Sequence, residues 1–442
     1  MSARFDNLHD WLHWQETLHP EEIELGLARI ASVFRRLRTK SFSCPVITIA
    51  GTNGKGSSLR MLESIYRADG YRTCAYSSPH LLRYNERIRI NGVEAADADI
   101  VAAFARIDAA RADVSLTYFE FGTLAALDIF MHQKADVVLL EVGLGGRLDA
   151  VNIIDADVAL LTAISLDHTA WLGEDRDAIG YEKAGILRPG KPAVCSDPDL
   201  PPSVCAHAHK LDCPLFRLGH NFDFKVDPQG WHWREGKGQA LDLPHPGLRG
   251  AHQYRNAAGV LMALMLLQSR LPVSRSAIRR GLLEAYLPGR FQFVSGQSLP
   301  DPSLPGSSAA GRVSWIYDVA HNPDSVQQLA QMLVEAKQPG RTFALLGMLA
   351  DKDSRTALRH IHSQITDWHI ASLNTLRSEK PENLKHIIHS LGRSSACVHT
   401  SVAEAWNAIE SSAKAGDRVV VFGSFYTVSE AMVVAQAHGQ RI

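Results

Sequence analysis

The sequence predicts an α/β protein of two domains: a larger one built on a mostly parallel sheet around a phosphate-binding loop, then a smaller Rossmann-like α/β domain. Three observations predict this. Short apolar, β-branched runs alternate with longer stretches of helical period, the signature of parallel strands joined by crossover helices. The first run passes straight into a glycine-rich loop, 46-VITIAGTNGKGSS-58. At 442 residues the chain exceeds the size at which a single core keeps growing, so two domains are expected.

The elements follow in order. The first strand is 45-PVITIA-50 and its helix 57-SSLRMLESIYRADG-70; then come strand 71-YRTCAYS-77, helices near 97–111 and 120–133, and strand 136-DVVLLEV-142. A strand at 157-DVALLTAI-164 precedes a helix near 176–187, and 192-PAVCS-196 reads as a short strand. The texture changes at 222-FDFKVDPQGWHWRE-235, whose period-2 alternation around Asp-Pro-Gln-Gly predicts a β-hairpin appendage. A helix over 252–270 follows. The segment 296–311 is rich in Pro, Ser and Gly with little to bury, and is expected to be a mobile loop at the domain boundary. Alternation then restarts with strands at 313–319, 342–348, near 367–373 and at 418–424, with helices between, and no repeat of period 20–50 is present.

Composition narrows the function classes. Forty-six Lys and Arg against 47 Asp and Glu give a net charge of -1, so no global field draws the chain to nucleic acid or membrane; anion recognition must be local. Six cysteines stand apart at 44, 74, 195, 205, 213 and 397 with no Cys-x-x-Cys pair, which reads as reduced thiols in a cytoplasmic protein. The start, MSARFDNLHDWLHW, lacks the apolar core of a signal peptide, and no window approaches the roughly 18 apolar residues of a membrane span.

In open α/β sheets ligands bind beyond the carboxyl ends of the strands. Here those ends carry Gly51-Thr-Asn-Gly54-Lys55-Gly56-Ser57, Ser77-Ser78-Pro79-His80, Glu141 with 143-GLGG-146 and Arg147, and Ser165-Leu-Asp167-His168. The loop departs from G-x-x-x-x-G-K-[ST], because Gly51 precedes Gly54 by three and Gly56 separates Lys55 from Ser57. Its physics survives: glycines let the backbone wrap a polyphosphate, helix N–H groups point at it, and Lys55 adds a point charge. Glu141 closes a buried strand, where a carboxylate is costly without a cation, and beside a phosphate loop that cation would be Mg²⁺, with Ser78 as a second oxygen donor. By spacing alone His168 is more often a hydrogen-bonded structural residue than a ligand, 143–147 is as readily a structural turn as an anion-facing one, and Lys183 reads as a solvated helix residue. No G-x-S-x-G, H-E-x-x-H or Asn-Lys-x-Asp signature is present, which favours chemistry in which ATP itself activates the substrate.

The ordered set GTNGKGS, SSPHLLRYNERIRING, TYFEFGTLAAL, EVGLGGRLDAVNI, SLDHTAWLG, EKAGI, LPGRFQ, DVAHNP, GMLADKD and FGSFYTV runs from about residue 19 to 430. It resembles the folylpolyglutamate synthase family, relatives of the Mur ligases, on the bifunctional dihydrofolate synthase/folylpolyglutamate synthase branch. The insertion near 296–311 is the main departure. The resemblance implies a P-loop ATPase domain over 1–290 that also holds pteroate, and a glutamate-ligase domain over 291–442. ATP would be held by Thr52, Asn53, Gly54, Lys55, Gly56, Ser57, Asn256, Arg290, Asp318 and His321. Magnesium would be held by Ser78, Glu141, His168 and a carbamylated Lys183. Pteroate would meet Glu24, Leu25, Gly26, Thr117, Tyr118, Phe119, Glu120, Leu148, Asp149 and Ala150. Lys55, Lys183 and His168 would be the catalytic residues. The resemblance also implies a monovalent cation, a monomer, and small-molecule substrates: dihydropteroate, reduced folates and L-glutamate.

Overall fold

The run that leads into the glycine loop becomes β1, Val46–Ala50, buried at every position. With both faces covered there is no solvent side, which explains the continuous apolar run in place of alternation. In the computed structural model of the protein, residues 3–21, 23–37, 42–236, 238–295, 313–392, 395–440 and 442 are described. The expected loop at 296–311 lies outside them.

Around β1 the strands β2 (Thr73–Tyr76), β3 (Ile88–Ile90), β4 (Val93–Glu94), β5 (Val137–Glu141), β6 (Val158–Leu161), β7 (Ala193–Cys195) and β8 (Leu215–Arg217) form an eight-stranded sheet in the order β4-β3-β2-β5-β1-β6-β7-β8. All neighbours are parallel except β2–β3 and β3–β4. Placing β1 between β5 and β6, with Ile49 opposite Glu141, brings three loop-bearing carboxyl ends side by side. Short β3, β4 and β8 escaped the sequence reading because two to three residues carry no measurable period. The helices Leu8–Leu18 and Ala28–Arg36 were not anticipated either; Trp11 and Ile30 are their fully buried anchors, in a core with Phe104 and Phe121.

The expected hairpin is a three-stranded antiparallel sheet, β9 (Phe222–Asp227), β10 (Gly230–Glu235) and β11 (Ala240–Leu243). Its buried face carries Trp231 and Trp233, with the Trp233 indole donating to the Ala258 carbonyl at 3.2 Å. On its exposed face His232 bridges Asp227 and Asp242, each at 2.5 Å.

The chain divides into two units, Met1–Ser165 with Thr169–Leu248 and His252–Tyr286, and Leu166–His168 with Arg249–Ala251 and Leu287–Ile442. The second unit holds a six-stranded sheet of β12 (Gln292–Ser295), β13 (Ser314–Tyr317), β14 (Thr342–Leu346), β15 (Asp367–Ala371), β16 (Ser395–His399) and β17 (Arg418–Phe422). Its order is β12-β13-β17-β14-β15-β16, parallel except for β12–β13. The four strands read from sequence are all present, and β12 and β16 are added at its edges. Three fully buried side chains, Leu329, Leu358 and Trp368, mark its core.

The hydrogen bonds to Asp242 and Asp227 raise the pKa of His232 above its ordinary 6.5. A raised folded-state pKa gives stability that is complete below about 6.5 and lost as pH rises through the folded value. NMR titration should find a His232 midpoint above 6.5, and Asp242→Asn should lower it; a midpoint at the free value in the unaltered protein would contradict the bridge.

Candidate active site

The glycine loop takes its shape from its neighbours. Gly51 lies so close to β6 that a Cβ there would sit 1.8 Å from Thr162 Oγ1. Gly54 has φ +93 and would drive a Cβ to within 2.4 Å of Asn256 Oδ1. A side chain is excluded at both places, and Gly54 also needs a backbone conformation that L-residues avoid. Thr52 is pinned by its N–H to Ala163 O at 2.7 Å, and its hydroxyl both donates to Ser165 O and accepts from Ser165 N at 3.0 Å. The helix Lys55–Ala68 then begins with Gly54 as N-cap, so its first N–H groups face the loop. Lys55 folds back to donate to Gly51 O at 3.0 Å and Thr52 O at 3.3 Å. Gln253 links Ser57 to Asn256: its Nε2 donates to Ser57 Oγ at 3.3 Å, and its Oε1 accepts from Asn256 Nδ2 at 3.0 Å. The loop, Ser57 and Asn256 are therefore one packed group.

Beside it, Ser78 begins a loop from β2 to β3 that is closed by Ser77 N–H to Arg87 O at 2.9 Å. Glu86 holds this loop by accepting from three successive N–H groups, Leu81, Leu82 and Arg83, at 2.6–2.7 Å. Glu141, buried, ends β5 next to β1. Lys183 is buried in the last turn of the helix Arg176–Ala184, which corrects the solvated reading that its spacing suggested. The turn at 143–147 docks on that helix. A Cβ on Gly146 would sit 2.8 Å from Glu182 O, and Arg147 pairs with the Glu182 carboxylate at 2.8 Å. Arg147 thereby takes part in docking this turn on the helix. Among the described residues no group of three or more His, Cys, Asp or Glu could hold a metal. The donors here are instead a carboxylate and a hydroxyl, hard oxygens of the kind Mg²⁺ takes while keeping waters.

In the second unit, buried Asp318 accepts from Phe291 N at 2.7 Å and Ala320 N at 2.8 Å, fixing the turn that bears Arg290. Burial raises the Asp318 pKa, opposed by the charge of Arg290 and those two N–H groups. Arg290 lies over the Phe425 ring at 5.4 Å. The segment Leu166–His168 belongs to this unit. Asp167 is clamped there by Lys352 at 2.6 Å and by Asn322 at 3.1 Å, with His321 at 3.5 Å. Burial works to raise the Asp167 pKa, but the His321 hydrogen bond and the charges of His321, His168 and Lys352 hold it far below the carboxylate range. His168 follows at φ 52, a strained value for a residue with a Cβ.

Residues 305–425 match the Mur ligase glutamate ligase domain. The dihydrofolate synthase/folylpolyglutamate synthase of Escherichia coli (strain K12) is 44% identical over 430 residues, covering 97% of this chain and 96% of that protein. The chain belongs to the dihydrofolate synthase/folylpolyglutamate synthase family. It is an ATP-dependent ligase. Its fold matches that of E. coli FolC in complex with DHPP and ADP with TM-score 0.89 at 42% identity, over 99% of this chain and 100% of that one. A bifunctional folylpolyglutamate synthase/dihydrofolate synthase solved with Mn, AMPPNP and L-glutamate bound matches with TM-score 0.87 at 43% identity, over 99% of each chain.

The pteroate residues that family likeness implied divide into two kinds. Gly26 N–H donates to Leu148 O at 3.3 Å, and the Phe119 ring lies where a Cβ on Gly143 would come within 2.5 Å, so these segments converge in the first unit. Glu24 is exposed and bridges Arg29 and His19 at 2.7 and 2.6 Å. The Arg29 hydrogen bond, then that of His19, lowers its pKa. Thr117 and Glu120 form the capping box of the helix Tyr118–Met131, and Glu120 also accepts from Arg29 at 3.0 Å. Asp149, next to buried Ala150, takes Leu144 N–H at 2.8 Å and Val151 N–H at 3.0 Å. Burial pushes its pKa up to about 6, against those N–H groups, that of Gly143 and the charge of Lys55. The Glu120 and Asp149 carboxylates thus hold Arg29 and local backbone N–H groups in place. The sequence reading passed over Arg29 and gave no role to Asp167 and Lys352, which it quoted only within a strand end and a motif, because their partners are set by folding and not by spacing.

Gly54→Ala should lower ADP affinity at least about tenfold and destabilise the protein by about 1–2 kcal/mol, from the left-handed φ and the clash with Asn256. Calorimetric titration with ADP and urea unfolding check both; unchanged affinity would refute the close-packed loop.

Proposed function

We propose that the protein ligates L-glutamate to 7,8-dihydropteroate, forming dihydrofolate, and then to reduced folates, forming folylpolyglutamates. The observation that carries this is the glycine loop at the carboxyl edge of a parallel sheet, in a chain that matches bifunctional relatives along 97% of its length. In the first step a substrate carboxylate oxygen attacks the γ-phosphorus of ATP; the bond to the bridging oxygen breaks and ADP leaves. In the second the glutamate amine attacks the acyl carbon, the carbon–oxygen bond to phosphate breaks, and phosphate departs as the nitrogen gives up a proton.

Lys55 and the N–H groups of 52–57 hold the β- and γ-phosphates and stabilise charge on the transferred group. Asn256 supports the loop from behind, and the family resemblance adds Arg290, Asp318 and His321 to the nucleotide-binding residues. Ser78, Glu141, His168 and a carbamate on Lys183 would hold magnesium, which when bound neutralises phosphate oxygens. A carbamate changes a buried ammonium into an oxygen donor, in keeping with the burial of Lys183. The six free cysteines favour a reducing cytoplasmic setting. No helix among the described residues is long and apolar enough to cross a membrane.

ADP release with dihydropteroate, glutamate, ATP and magnesium tests the reading: turnover that requires dihydropteroate is expected, and turnover with tetrahydrofolate alone would reduce the function to polyglutamylation. Lys55→Met should lower kcat about 10²–10³-fold while leaving the urea midpoint nearly unchanged; equal turnover would remove Lys55 from the mechanism. Lys183→Ala should be inactive and partly restored by acetate or formate, whereas an active enzyme whose intact mass shows unmodified lysine would end the carbamate assignment.

A further inference from the structure

Arg87 is a buried cation whose environment offers aromatic faces and no carboxylate. It is 9% exposed, and its guanidinium carbon lies 5.3 Å from the centre of the Tyr84 ring and 5.6 Å from that of Tyr118. Its Nε–H donates to His80 Nδ1 at 2.8 Å. Because a guanidinium only donates, Nδ1 is the acceptor, which makes His80 the neutral Nε2–H tautomer in this contact. Among the described residues no Asp or Glu forms an ion pair with it.

This is unusual, because a buried charge is ordinarily matched by an opposite one. The other arginines of this region follow the rule: Arg89 pairs with Glu63 at 3.1 Å and Arg29 with Glu120 at 3.0 Å. Carboxylates of the adjoining segments are committed to other partners. Glu86 is held by three N–H groups, Glu120 by Arg29 and Thr117 N–H, and Asp149 by the N–H groups of Leu144 and Val151. Stacking on tyrosine stabilises a guanidinium without neutralising it.

Place decides what the missing anion is. Arg87 O accepts from Ser77 N–H, so this residue lies directly across from the start of the Ser78 loop. Its side chain meets Tyr118, which adjoins Phe119 on the same helix. It therefore stands where the loop proposed to hold magnesium meets the aromatic wall proposed for pteroate. We infer that Arg87 is the receptor for the substrate carboxylate that becomes phosphorylated, held as a charge-assisted pair by the guanidinium amino groups while His80 fixes the Nε edge. The inference rests on the ligase reading above and adds to it the group that selects an arylcarboxylate.

The test compares two ligands in the presence of Mg-ADP: dihydropteroate, and its analogue in which the benzoate carboxylate is replaced by hydrogen. By calorimetry the unaltered protein should prefer the carboxylate compound at least about tenfold. Arg87→Met, which keeps the length of the stem, should bring both ligands to the affinity of the analogue. Arg87→Lys keeps the charge but loses the fork, and should retain a reduced preference. A full preference kept in either variant overturns the role of Arg87 alone. An unaltered protein that binds neither pterin overturns the folate reading and this inference together.

Discussion

Backbone N–H groups captured by internal carboxylates set the shape of the loops at the proposed active site. A parallel sheet satisfies its own ladder, but the loops leaving its carboxyl edge still carry donors that must find acceptors. Here the acceptors are side chains within or beside the same loops. Glu86 gathers the N–H groups of 81–83, Asp149 those of 144 and 151, and Asp318 those of 291 and 320. Asp197 likewise takes Ile164 N–H at 2.7 Å. Charge-assisted bonds of this kind are stronger than neutral ones, so each loop is held before any ligand arrives.

That arrangement separates residues that hold the site from those left to act. Glu120, Asp149 and Asp318 belong to the first group by geometry: every oxygen with a described bond serves a backbone or an arginine. Family likeness alone places such residues beside a ligand without saying whether they touch it. Lys55 belongs to the second group. Its ammonium donates only to loop carbonyls among its described hydrogen bonds, partners that a polyphosphate can replace as the helix N–H groups take up the anion.

Much of this was legible in the sequence because the signals were long or chemically unusual. Runs such as Val-Val-Leu-Leu-Glu at 137–141 are too apolar for a surface strand and too short for a buried helix of normal length, so they read as parallel strands. The glycines at 51 and 54 stood out because they gather with Gly56, Lys55 and Ser57 straight after an apolar run, and in the fold their contacts forbid any side chain. What stayed hidden depended on tertiary packing. The third strand of the appendage, β11, is four residues long after a turn, and its partner register with β10 appears only on folding. Lys183 looked solvated because a helix pattern reports its own faces and not the 143–147 turn that covers this one. Arg87 sits in RYNERIRI among three charged neighbours, where composition suggests a wet segment; only burial singles it out.

The irregular glycine spacing follows from the same packing. In a loop whose glycines are five apart the backbone encircles the phosphates largely by itself. Here Gly51 and Gly54 are three apart, and the loop is completed by others: Thr162 against Gly51, Asn256 against Gly54, Gln253 against Ser57. Asn256 and Gln253 come from the helix Ala251–Leu266, two hundred residues downstream. A shorter loop thus makes the proposed phosphate grip depend on a distant segment, so changes in that helix would reach a bound nucleotide directly. The departure from the common motif is in this sense a structural statement: the nucleotide loop here is not a self-contained module but one face of a packed group that includes residues from the far end of the first unit.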